Sequence, residues 1–395
     1  MSLFQRKEAG GRRTVAIFDI GSGSIGGAFV NLNPGKLPEI IFTARHSIPV
    51  QEQLNFKRFL ESMGKTLEGL ALTMQKAGGG VSVNEAHVVL ASPWYASQTR
   101  LVRYSQEAPF TITEKGINKL IDKEISAFQN SKLFTYPEES ETAPEIMESK
   151  NIQLKLNGYV VVEPYGKKAT QLEIAVYVSM IPSDIRALIK TSIAKFWRPP
   201  RIHFSSFSLS AFDAIRGIFP NEPSFLFMDI AGEITDISLA KDNILLESMS
   251  FPAGKNMLVR AIAEGLKITP ALAASELDLY AENNGSPDHA KKIGEIIKKA
   301  GEEWRTLFKE AILRFAKEFP IPRTIFYTVD DNVNKWFGKT VEETKFARWG
   351  EEEGSFVVRS LGNVFLNGFV RTAAPEFQDP FLAIEAIFTN KFSSR

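Results

Sequence analysis

The stretches AIFDIGSGSIGGAFV (16–30) and LFMDIAGEITDISLA (226–240) follow one plan: an apolar strand, an aspartate, a turn of small residues and a second apolar strand. A plan stated twice so far apart in one chain predicts two similar domains that face each other. It also sets Asp19 and Asp229 at matching strand ends, beside turns whose backbone amides could converge on an anion. At 395 residues and 44% hydrophobic, the chain is long enough for two or more packed units.

TVAIFDI (14–20) is β-branched and almost continuously apolar, as a buried strand should be. IGGAFVNL (25–32) is its expected hairpin partner across the Gly21–Ser24 turn, and PEIIFTARHSI (38–48) a third strand. Leu54, Phe56, Phe59, Leu60, Met63, Leu67, Leu70 and Met74 recur at helical steps and predict a helix over 54–77, stopped by the glycines at 78–80. AHVVLAS (86–92) reads as a buried strand and TRLVRYS (99–105) as a more exposed one. Thr113 ahead of Lys115–Gly116 signals the start of an amphipathic helix. Residues 130–150, rich in Glu, Ser, Pro and Thr, predict a loop. Asn157–Gly158 predicts a hairpin, 170–181 a strand, and 182–197 a helix opening at Pro182 and Ser183.

The second half continues its repeat with a third strand, NILLESMSF, and helices at 256–266, 270–282 and 287–318. Ile293, Ile297, Ala300, Trp304, Leu307, Ala311 and Phe315 form one stripe, which assigns Trp304 to a core rather than to base stacking. PRTIFYTV (322–329) and SFVVRSL (355–361) read as late strands, and DPFLAIEAIF (379–388) as a closing helix. The resulting division is a first domain with an N-terminal tail (1–108), an inserted α+β module (109–182), a return to the first domain (183–222), a second domain (223–375) with a helical subdomain (256–319), and the closing helix (376–395).

The charge balance, 47 basic against 46 acidic residues, gives no global attraction to nucleic acid or to an anionic membrane. Lys291, Lys292, Lys298 and Lys299 alternate with Glu295, Glu302 and Glu303, which describes a solvated face, so no nucleic-acid partner is expected. Without cysteine there is neither disulfide nor thiolate metal site, and a reducing compartment fits. The four histidines, at 46, 87, 203 and 289, show no metal-ligand spacing, and a histidine metal site is set aside. No run approaches the roughly 20 apolar residues of a membrane helix. The basic opening MSLFQRKEAGGRR has no apolar core behind it and reads as a short tail.

The two strand–Asp–turn–strand motifs resemble the phosphate loops of the actin, sugar kinase and Hsp70 superfamily. LNGYVVVEPYGKKATQLEIAVYVS (156–179) resembles the insert of the FtsA/PilM type, and FPAGKNMLVRAIAEGL (251–266) the stretch after the second phosphate loop of FtsA; the opening MSLFQRKE…FDIGSGSI looks more like PilM. The resemblance spans about residues 14–390. It implies an α/β chain with the two-domain actin-like (ribonuclease H-like) fold and a small α+β insert in the first domain. It implies ATP with Mg2+ as cofactor. Asp19 would lie near the metal-bound phosphates, cradled by the amides of Gly21, Ser22, Gly23 and Ser24. Asp229, Gly232, Thr235 and Asp236 would serve the facing loop, Gly254 the loop after it, and Asp19 and Asp229 the metal.

Departures from that pattern imply weakened or lost nucleotide binding. Ala231 replaces a loop glycine, and Glu233 sets a negative charge where phosphate should rest. Position 279 is leucine where the Ala-Glu-x-x-Lys helix should carry its lysine. The glycine-rich adenosine loop is replaced by VDDNVNKWFG, which reads as a bulky acidic loop. The functional expectation is a cytoplasmic scaffold at the inner face of the membrane, in cell division or type IV pilus assembly. Its partners would be an FtsZ-like tail, met by a surface within about 256–350, or a pilus inner-membrane protein, with self-association. DPFLAIEAIFTNKF reads as a packed helix rather than an anchor, so membrane contact would be indirect. The alternative is an active ATPase or small-molecule kinase on the same fold, for which no catalytic residue is identified.

Overall fold

The computed structural model describes residues 13–32, 35–83, 85–129, 144–197, 199, 201–284, 286–346 and 354–392. Residues 1–12 of the expected tail MSLFQRKEAGGRR and most of the loop expected at 130–150 lie outside the described residues; the tail's last residue, Arg13, opens β1.

The first unit opens with an antiparallel meander, β1 (Arg13–Ile20), β2 (Ser24–Leu32) and β3 (Glu39–Ser47). Helix α1 (Phe56–Ala77) then crosses to β4 (Glu85–Leu90), which pairs parallel with β1. The chain next leaves the sheet. β5 (Ala96–Thr111), α2 (Glu114–Gln129), β6 (Pro144–Leu156), β7 (Tyr159–Val160) and β8 (Lys168–Pro182) form a separate four-stranded sheet, in the order β5-β8-β6-β7, with α2 packed on it. It returns through α3 (Ser183–Ala194), β9 (Arg201–Ser206) and α4 (Phe207–Ile218), with β9 parallel to β4 at the sheet's edge.

The boundary drawn at 109 falls inside β5, whose long alternation pairs with β8 from Ala96 onward, so TRLVRYS belongs to the module's sheet. The strand starting at Pro144 also takes the end of the expected loop; Glu148 turns inward there to accept from Ser206 and Ser179. Thr113 caps α2 by accepting from Gly116 N at 3.1 Å. Asn157 and Gly158 take positive φ, 50° and 85°, in the tight β6–β7 turn.

The second unit repeats the scheme. β10 (Phe225–Ile230), β11 (Thr235–Lys241) and β12 (Ile244–Phe251) form an antiparallel meander. Helices α5 (Lys255–Leu266), α6 (Pro270–Ala281) and α7 (Pro287–Ala316) lead to β13 (Thr324–Val329), parallel to β10. α8 (Asp331–Glu342) leads to β14 (Val357–Ser360), parallel to β13. After α9 (Asn363–Leu366), β15 (Arg371–Thr372) joins the far edge of the first sheet beside β3. The closing helix α10 (Pro380–Phe392) is buried against the first sheet and α4. Near its end Phe388 lies under Lys150 of β6, and Lys391 pairs with Asp213 of α4.

Side-chain alternation explains the layering. Val15 and Ile17 join Phe225, Phe227 and Phe326 in a central core shared by the two units, while Ala16, Phe18 and Ile20 face α1 and α3, and Leu226, Met228 and Ile230 face α5–α8. Both central strands are therefore buried on two faces, which is why they read as continuous apolar runs. Trp304 is fully buried, stacks on Phe308 at 5.4 Å and donates to Thr235 Oγ1 at 3.2 Å. Replacing it with alanine empties that layer; Trp304→Ala should cost about 3–5 kcal/mol in equilibrium urea unfolding.

Candidate functional site

Two-residue periodicity aims the two motif aspartates at each other. Asp19 shares a face with Val15 and Ile17, and Asp229 with Phe225 and Phe227, the faces that meet in the central core. Both aspartates sit at strand ends and line one small cavity between the units, together with Gly21, Gly23, Ser24, Gly232 and Asp330. The facing jaws expected from the repeat are thus present.

A side chain from a neighbouring strand fills the space beside Asp19. Asp19, Gly26 and Arg45 are cross-strand neighbours on β1, β2 and β3. Gly26 has no side chain, and a Cβ there would lie 2.5 Å from Arg45 Nη2, so the guanidinium crosses β2 through the gap. Arg45 Nη2 reaches Asp19 Oδ2 at 2.8 Å, and Arg45 Nε and Nη2 reach Asp379 at 2.7 and 3.0 Å. Nη1 donates to Ser24 Oγ at 3.0 Å, and the group lies over the Phe381 ring at 5.0 Å. Asp379 also accepts from Leu382 N and so caps α10.

The other cations of the cleft are spent in the same way. Lys255, at the start of α5, pairs with Asp330, the N-cap of α8. Arg260 donates to both oxygens of Glu233, which also accepts from Asn256 at 2.8 Å. The charge of Glu233, expected to repel phosphate, is therefore already neutralised within the protein. Against burial, Lys255 holds the Asp330 carboxyl below its ordinary value. Asp229 is pushed well above that range by burial and then by Asp236 and Asp19. Burial, then the Asp19 charge, raises Glu385 well above its ordinary value. Burial raises Asp236 too, against its bond from Ser250, and it raises Asp19 despite Arg45. One cation serves Asp19, Asp379 and Glu385, so the cluster stays near neutrality by holding protons.

The loops themselves are shut. A Cβ on Gly23 would lie 2.8 Å from Gly232 Cα, so the backbones of the two motif turns touch. Ser22 Oγ accepts from Glu233 N at 3.0 Å, Ser92 N donates to Asp236, and Arg260 Nε donates to Gln51 O at 2.9 Å, each stitching one unit to the other. The turn amides of Gly21 and Ala231 bond within their turns, and Lys255 N and Asn256 N, at the α5 N-terminus, bond to the carbonyls of Ala231 and Gly232. Thr235 points away to Ala253 O and Trp304, so alternation removes it from the cleft, and Gly254 serves as the N-cap of α5.

The space left between the turns is about 20 Å³, room for one water and far below the roughly 300 Å³ of a small ligand site. Mg2+ asks for near-octahedral oxygens and keeps several waters, whereas Asp19 is held by Arg45. The closed arrangement does not fit a magnesium-bound triphosphate. On the nucleoside side, the sequence VDDNVNKWFG forms a helix, α8, rather than the loop expected of it, because Val333, Phe337 and Val341 bury one face. A groove of about 980 Å³ lies between α6, α7 and α8, crossed by a bond from Asn332 to Asp278.

Arg45, Lys255, Arg260, Asp379 and Glu385 are absent from the residues expected from the sequence. Two signals were there, for Arg45 and Asp379: an arginine in a strand whose neighbour carries Gly-Gly, and Asp379-Pro380 as a cap followed by an N1 proline.

No family model matches the chain, and no curated relative matches it. Among solved structures it is similar to a PilM–PilN type IV pilus biogenesis complex, at 12% identity and a TM-score of 0.64 over 96% of this chain and 98% of that one. It also matches the ethanolamine utilization protein EutJ from Carboxydothermus hydrogenoformans, at 10% identity and a TM-score of 0.45 over 95% and 89% of the two chains. A Bacteroides thetaiotaomicron protein with an actin-like ATPase fold and unknown function aligns at 10% identity and a TM-score of 0.36, over 98% and 99%. The fold is the two-domain actin-like one.

Two outcomes follow from the cleft's electrostatics. Arg45→Ala leaves Asp19 and Asp379 without their cation and should cost about 3–5 kcal/mol at neutral pH in chemical denaturation. The unfolded Asp229 carboxyl releases its proton near 3.9 and the folded one only at higher pH, so between those points the native state holds the extra proton and stability falls as pH rises. Asp229→Asn should keep the bond from Thr328 and flatten that fall in a pH series of thermal unfolding. An unchanged slope would contradict the assignment.

Proposed function

We propose that this chain is an actin-fold scaffold of the FtsA/PilM type, which ties a membrane-associated assembly to cytoplasmic partners through protein contacts and holds its interdomain cleft with ion pairs in place of nucleotide. The observation that carries this reading is the Arg45 bridge to Asp19 and Asp379 beneath two turns in backbone contact. A phosphoryl-transfer enzyme needs a phosphate cradle and a positioned metal, and here Arg45 holds Asp19 while the turn amides of Gly21 and Ala231 bond within their own turns.

The likeness to a PilM–PilN complex supports a pilus-assembly role over one in division, and a membrane-associated protein as the partner. Among the described residues no helix is long and apolar enough to cross a membrane, and α10 is packed into the central core. Both support membrane contact made through the partner, at the inner face. Self-association belongs to the same reading.

Calorimetric titration with ATP and Mg2+ tests the cleft. No saturable heat is expected up to millimolar nucleotide, and micromolar binding with turnover would replace this reading with the ATPase or kinase one. Titration with adenosine alone separates the groove between α6 and α8 from the phosphate loops: equal affinity for adenosine and ATP would place the ligand in that groove. The chain should also fractionate with membranes in the cells that make it, yet not bind protein-free liposomes.

A further inference from the structure

A second group of titratable side chains lies at the opposite end of β4 from the cleft. Parallel pairing sets His87 on β4 opposite His203 on β9, and Glu85 is two residues before His87 on the same face. Glu85 Oε2 lies 3.7 Å from Nε2 of each histidine. The rings stack with centroids 4.9 Å apart and planes 20° apart. One ligand atom from each of the three residues lies within 4.8 Å of the other two. A separation of 3.7 Å is too long for a hydrogen bond, and His87, only 5% exposed, has an Nε2 with no hydrogen-bond partner. A buried ring nitrogen left so is costly. We propose that Glu85, His87 and His203 form a binding site for one divalent transition-metal ion of the zinc class, with Glu85 Oε2 and the two Nε2 atoms as ligands.

The donor set suits the ion. Two imidazoles and a carboxylate bind zinc at about 2.0–2.2 Å, which this group reaches by small inward rotations of the side chains. The two carboxylate oxygens have separate roles. Oε1 faces Arg13 Nη1 at 3.6 Å and Arg201 Nη1 at 3.5 Å, leaving Oε2 for the rings. Such outer partners orient a ligand. β9 is an edge strand, and His203 and Glu85 are partly exposed, which gives the ion a way in. Three protein ligands leave a fourth position open to water or to a donor from another molecule. The ion would fasten the edge strand to β4. The site shares no residue with the cleft and stands apart from the proposed scaffold role.

The test uses the full chain without an affinity tag, stripped with a chelator and desalted. Calorimetry with Zn2+ should show one equivalent bound at pH 7. Co2+ should develop the visible ligand-field bands of a low-coordinate site, saturating at one equivalent. His203→Ala, at the partly exposed edge, and Glu85→Gln should each weaken Zn2+ binding by at least about tenfold while the circular dichroism is unchanged. Absence of saturable Zn2+ uptake up to millimolar metal, or wild-type affinity in both variants, would overturn the proposal.

Discussion

A charge removed from water must be answered by another charge or by a proton, and the central region of this molecule is organised by that demand. Carboxyl groups crowd the region where the two units meet, and they outnumber the cations there. Arg45, Lys255 and Arg260 take the groups that stay ionised. Asp229, Asp236 and Glu385 have their acidities suppressed by burial. The turn geometry that can suit a polyphosphate is retained, but its positive field is supplied by arginine and lysine side chains fixed in the protein. Such a network contributes little net stability compared with an apolar core, and losing one member is expensive. It therefore specifies a single closed arrangement of the halves more than it strengthens the fold.

That arrangement bears on function through rigidity. The halves are bridged at Ser22–Glu233, Ser92–Asp236 and Arg260–Gln51, which is the constancy that the proposed scaffold role asks for. The long strands of the inserted sheet, β5 and β8, extend this fixed body and add edges and loops on which partners could dock.

Much of the architecture was legible because it rests on period and repetition. The duplicated motif announced two units, alternation placed Asp19 and Asp229 on facing surfaces, and Asn157–Gly158 marked its hairpin. The misreadings had a common cause, since each depended on what a segment meets across space. TRLVRYS joined the module's sheet because β8 is there to pair with it. VDDNVNKWFG became a helix because α7 and β13 offer an apolar face for Val333 and Phe337. The pairing of Arg45 with Asp379 was not legible, although each residue left a local signal, because only the sheet and the last helix bring the two together. His87 and His203, scattered in sequence, meet only through the register of β4 and β9.

The last helix has a mechanical consequence. Its first turn is anchored by Asp379, clasped by Arg45, and its far end is held under Lys150 at the root of the module and against Asp213. Thirteen residues of helix make a strut of about 20 Å with both ends pinned. The helix therefore ties the module's β6 to the joint between the halves, with one contact at each of its ends.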